Sequence, residues 1–99
     1  MVIDLLWSDP LPKEEETKNE WEKNKDRDPD GSRGIVQFGL SRVEKFLKSN
    51  NHSLLLRSHQ IVPTGYSNYE SQVISINSCT NYCNEFGNDA CFLMVQKKF

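Results

Sequence analysis

Apolar positions recur along this chain in more than one rhythm. Leu40, Val43, Phe46 and Leu47 fall on one face at helical spacing, with Arg42, Glu44, Lys45 and Lys48 on the other. That is the pattern of an amphipathic helix of about three turns. Ser41 and Glu44 stand at capping-box spacing, and Asn50-Asn51, with Lys48 just before them, form a stop. Other runs read as strands. SLLLRS at 53–58 is one. In QVISIN at 72–77, Ile74 and Ile76 alternate with Ser75 and Asn77, and CFLMVQ at 91–96 is dense enough to predict a strand buried on both faces. VIDLLW at 2–7 is a short apolar run ended by Asp9-Pro10 and reads as a buried strand. A buried strand so near a chain end is unusual and points to polypeptide preceding it.

Polar segments separate these runs. The stretch 13–32 is charged and closes on Pro29-Asp30-Gly31-Ser32, a turn-forming cluster. Lone Trp21 can anchor it as a loop, although its Glu and Lys residues also permit some helix. Pro63-Thr64-Gly65 is a turn. SCTNYCNEFGNDA at 78–90 is too long for a hairpin turn, and its Tyr82, Phe86 and asparagines suit a binding loop. The predicted class is α+β. Without the charged stretch, roughly 80 residues remain to build a core, near the size where a single core becomes marginal.

Composition narrows the classes. Hydrophobic residues make up 36% and charged residues 26% of 99 residues, so one small domain is expected, neither membrane-embedded nor disordered. No apolar run approaches the roughly 20 residues that cross a bilayer. MVIDLLW lacks a basic start and carries Asp4, a poor signal peptide, so a cytoplasmic or nuclear location is expected. Residues 13–30 hold eight acids and five bases, a balance of −3 within a total of −2. No basic stripe for nucleic acid is present. The three cysteines, Cys79, Cys83 and Cys91, are an odd set, which favours free thiols. Cys79 and Cys91 read as strand residues with packing roles, and Cys83 as an exposed thiol.

Of two histidines, His52 reads as a surface residue, while His59 stands where a strand leaves the core in LLLRSHQIVPTGY. Four stretches together resemble the C-terminal portion of the phosphoprotein phosphatase (PPP) family of metal-dependent serine/threonine phosphatases. They are DLLWSDP at 4–10, RGIVQFG at 33–39, LLLRSHQIVPTGY at 54–66 and SCTNYCNEFGNDA at 78–90. The resemblance implies a partial calcineurin-like metallophosphatase fold, half of a β-sandwich with a flanking helix. Residues 1–99 would then be a C-terminal fragment of the catalytic domain, with a charged loop insertion at 13–32. It further implies two metal ions (Mn, Fe or Zn) that activate a water for attack on phosphoserine or phosphothreonine. His59 would be one metal ligand, Arg33 the arginine that grips phosphate and Tyr82 a hydroxyl donor beside it. Protein substrates and regulatory subunits are the implied partners.

The family's G-D-x-H-G, G-D-x-x-D-R-G, G-N-H-E and H-G-G segments do not occur here, so this chain alone is expected to be inactive. Where the family has Ala-Pro before Asn-Tyr-Cys, this chain has Cys79-Thr80, which frees a backbone dihedral and predicts a less rigid Tyr82 loop. A cysteine-phosphatase mechanism is excluded. The positions where C-x(5)-R would require arginine hold Glu85, Asp89 and Lys97. The alternatives are a non-catalytic remnant that binds proteins through 13–32 or the Tyr82 loop, and a redox module using Cys79 and Cys83.

Overall fold

The computed structural model describes residues 2–12 and 20–97; residues 13–19 of the charged stretch therefore lie outside the described part. Helix α1 (Val2–Trp7) is followed by the two-residue strand β1 (Asp9–Pro10), and then by β2 (Trp21–Lys23) and β3 (Val36–Phe38). These strands form one sheet in the order β1-β3-β2, parallel between β1 and β3 and antiparallel between β2 and β3. Helix α2 (Leu40–Ser49) leads to β4 (Leu55–Arg57), β5 (Tyr66–Tyr69) and β6 (Val73–Ile76). They make a second three-stranded sheet, β4-β6-β5, with β4 parallel and β5 antiparallel to β6. The fold is a small mixed α+β unit, in the class the sequence predicts.

The core lies between α2 and the second sheet. Val43 and Leu47 pack on Val73, with Phe38, Leu55 and Tyr69 around them. Phe46, predicted on the same face, is half exposed instead. The start of α2 differs from expectation. Gly39 is the N-cap and no side chain caps it, so the Ser41–Glu44 box is not used. The stop is as predicted. Asn51 adopts φ +54, its N–H donates to Lys48 O, and the His52 N–H donates to Leu47 O, which together make a Schellman cap. Asn51→Ala should cost about 0.5–1 kcal/mol, because alanine tolerates the left-handed region less well than asparagine. Chemical denaturation of the two proteins measures it.

Three predicted elements turn out otherwise. Residues 2–7 are helical and none is buried. Six residues are too few for periodicity to separate helix from strand. Residues 91–97 are irregular, with Phe92, Met94 and Val95 strongly exposed, because no strand among the described residues pairs with them. Cys79 and Cys91 accordingly lie outside any strand, Cys79 exposed and Cys91 half-buried, while Cys83 is exposed as expected. The stretch predicted as loop or helix contains β2, whose Trp21 is exposed rather than buried.

On β6 the alternation runs opposite to simple hydropathy. Val73, Ser75 and Asn77 face inward and are buried, whereas Ile74 and Ile76 are only partly covered. Asn77 tolerates this because both the oxygen and the nitrogen of its amide find a partner. Its Oδ1 accepts the Val62 N–H at 2.6 Å and its Nδ2 donates to Gln60 O at 2.9 Å.

Candidate active site

Strand β4 ends at Arg57, and the chain turns at once through His59, held at φ +88. A non-glycine residue in that region is strained and persists only when its surroundings fix it. Those surroundings are identifiable. Arg57 Nη1 donates to Gln60 Oε1 at 2.6 Å, bridging across His59, and Asn77 Nδ2 holds Gln60 O from the other side. Trp7 at the end of α1 meets the imidazole edge-on, with ring centroids 5.0 Å apart. That arrangement suits the quadrupole of the indole.

Arg57 is itself fixed by Asp9. Its Nη2 donates to Asp9 Oδ1 at 3.0 Å and to Ser8 O at 3.3 Å. The other carboxylate oxygen, Oδ2, accepts Asn24 Nδ2 at 3.0 Å and Arg27 Nε at 3.3 Å. The Asp9 and Arg57 side chains are only 5% and 12% exposed. Burial holds the Arg57 pKa below its ordinary value, and the Asp9 charge works against that shift.

The loop 78–90 is braced by Asn88, which is buried. Its Oδ1 accepts the Tyr82 N–H, and its Nδ2 donates to Cys79 O and Asp89 O, each at 2.9 Å. Asn81 Oδ1 accepts the Gly87 N–H at 3.0 Å. These bonds restrain the loop at both ends of the Tyr82–Asn84 turn, a task proline would share. Asn81, Cys83 and Asn84 all have positive φ, so the turn departs from regular helix.

These pieces enclose one cavity of about 750 Å³. His59 and Tyr82 both line it, together with Trp7, Arg27, Asn77 and Cys79. Its size is that of a small-molecule pocket. Arg33 is not among the lining residues. It lies in an exposed bend after Asp28, whose buried carboxylate accepts the N–H groups of Arg33 and Ile35. The next acid, Asp30, is held below the usual carboxylate pKa by hydrogen bonds from Ser32. Of the three residues named from the sequence, two thus come together and the third stands apart. Arg27, in the same wall, has no distinguishing sequence signal, being one base among many in a charged run. Only its pairing with Asp9 marks it, and that contact spans 18 positions.

An imidazole, a phenol and a guanidinium on one wall can bind an anion and donate to its oxygens. His59 also fits as a single imidazole ligand to a borderline metal ion. Among the described residues, however, no three His, Cys, Asp or Glu side chains gather where they could hold a metal. The described residues alone do not complete a binuclear centre.

Two curated relatives carry the likeness across nearly the whole sequence. The chain is 34% identical over 98 residues to "Serine/threonine-protein phosphatase 5" of Arabidopsis thaliana, and 33% identical over 98 residues to the protein of the same name in Solanum lycopersicum. Each match covers 97% of this chain. The chain is related in sequence to the phosphoprotein phosphatases. It spans only about one sixth of each relative, 16% of its length. No protein-family profile matches the chain. Because the match covers nearly the whole chain, the phosphatase likeness takes in the charged stretch as well as the four motifs.

Proposed function

We propose that this chain forms one wall of the active site of a metal-dependent serine/threonine protein phosphatase. Its two sheets and α2 would be the C-terminal part of a calcineurin-like catalytic domain, with 13–32 as an inserted loop. One observation carries this reading: His59 and Tyr82, drawn from separate motifs, line the same cavity. The metal pair (Mn, Fe or Zn) would supply an acidified water and charge neutralisation. His59 would be one of its ligands, and polypeptide outside this sequence would supply the others. Tyr82 would donate its hydroxyl to a phosphate oxygen. Arg33 would grip the phosphate once its exposed bend is brought to the site. Phosphoserine and phosphothreonine proteins are the substrates under this reading, regulatory subunits would meet the charged loop, and the setting would be cytoplasmic or nuclear.

A graft tests it. Residues 1–99 should release no phosphate from a phosphoserine peptide in Mn²⁺, yet should support metal-dependent hydrolysis when they replace the matching segment of the Arabidopsis relative. His59→Ala in that graft should then lower activity by at least the roughly 10–100-fold lost with a contact that supports a ligand. A folded but inactive graft would instead support a non-catalytic protein-binding module. That second reading draws on an apolar cavity of about 680 Å³ lined by Leu5, Trp21 and Phe46.

A further inference from the structure

Arg27 lies in the charged stretch, outside the four motifs, yet it lines the same cavity as His59 and Tyr82. Among the described residues lining that cavity it is the single lysine or arginine. Its placement is built rather than incidental. The Arg27 N–H donates to Asn24 Oδ1 at 3.0 Å, and the guanidinium Nε donates to Asp9 Oδ2 at 3.3 Å. Asn24 in turn anchors to the same carboxylate, and both Asn24 and Asp9 are buried. The backbone and one nitrogen of the fork are therefore fixed, and Asp9 does not engage the two Nη groups. Asp9 is moreover shared. Its single negative charge faces both Arg27 and Arg57, at 3.3 and 3.0 Å, which leaves a net charge of +1 in the cluster. An incoming anion would find positive charge there that its own carboxylate has not cancelled.

We propose that Arg27 is an anion-gripping residue of this cavity, presenting its guanidinium to the phosphate monoester of a phosphorylated serine or threonine side chain. This deepens the phosphatase reading and rests on it. A fork anchored through Nε keeps its orientation, so little side-chain freedom is lost when the Nη donors meet two phosphate oxygens. It gives the charged stretch a role at the site itself.

The test is a titration of the 99-residue chain with N-acetyl-phosphoserine amide, followed by ¹H–¹⁵N spectra and by direct observation of the Arg27 Nε resonance. Shifts are expected at His59, Tyr82, Cys79 and Arg27 Nε, and none with the unphosphorylated amide. Arg27→Gln should weaken binding about 10-fold, equivalent to about 1.4 kcal/mol. Lys48→Gln, an equal loss of charge on α2, should change it less than about twofold, as expected of a distant exposed charge in salt. Spectral dispersion confirms that each variant is folded. If His59 and Tyr82 respond while Arg27 Nε does not move, or if folded Arg27→Gln binds like the parent, the assignment of Arg27 fails and the phosphate cavity stands. If no lining residue responds, the phosphate reading of the cavity fails and Arg27 with it.

Discussion

Asp9→Ala should destabilise the chain by about 3–5 kcal/mol, the cost of removing one partner of a buried ion pair. The loss is not mainly that of an attraction. It arises because Arg57, with a side chain 12% exposed, would keep its charge with no carboxylate to face, and Asn24 Nδ2 would lose its acceptor in the same step. A small domain has about 5–15 kcal/mol in all, so the variant approaches global unfolding at room temperature. Urea melts of Asp9→Ala, Arg57→Met and the double variant provide the check. The double variant should be less destabilised than the sum of the singles, with a coupling of about 0.5–3 kcal/mol. Strict additivity would show that the two side chains do not interact. The same network holds His59 in its strained conformation, so Asp9→Ala should also blur the His59 ring resonances in protein that remains folded.

Gly65→Ala is the second large effect, expected at about 2–5 kcal/mol from a left-handed penalty and a steric one together. Gly65 stands at φ +73, and a Cβ there would lie 2.7 Å from the Ala90 carbonyl carbon and 2.8 Å from Asp89 O. These are backbone atoms and cannot swing aside. The Asp89 N–H donates to Pro63 O and the Cys91 N–H to Asn77 O, which presses residues 89–91 onto the turn. Gly34 provides the control. It has nearly the same φ, +71, and a methyl group added there would meet nothing within 4 Å. Gly34→Ala should therefore cost only the conformational part, about 1–2 kcal/mol. Equal losses in the two variants would mean that the close approach of 89–91 contributes nothing.

How far the sequence discloses this fold depends on whether the signal is local. Helix α2 is legible because Val43 and Leu47 meet the core at helical spacing. Strands β4 and β6 emerge within the predicted runs at 53–58 and 72–77. Strand β5, Tyr66–Tyr69, gives no such sign: three of its four residues are exposed, and the turn after it uses Glu70 and Ser71 at positive φ where Asn-Gly would have announced a hairpin. The apolar run at 91–96 misleads for the converse reason, since hydropathy reports what a segment would bury and not whether a partner is there to cover it. At the site, motif order brings His59 and Tyr82 to one cavity. It does not do so for Arg33, whose position follows from the Asp28 turn, nor does it find Arg27, whose place is set by a carboxylate 18 residues away.

The uncovered side chains of α1 and of 91–97 have a practical corollary. Leu5, Leu6, Phe92, Met94 and Val95 are each more than 60% exposed, in a molecule of modest net charge, −2. Surfaces of that kind cohere in water, so the polypeptide should behave as a sticky colloid whose association rises with dose. Melting curves then carry a mass-action contribution from self-association. A midpoint quoted without its concentration would describe the solution as much as the molecule.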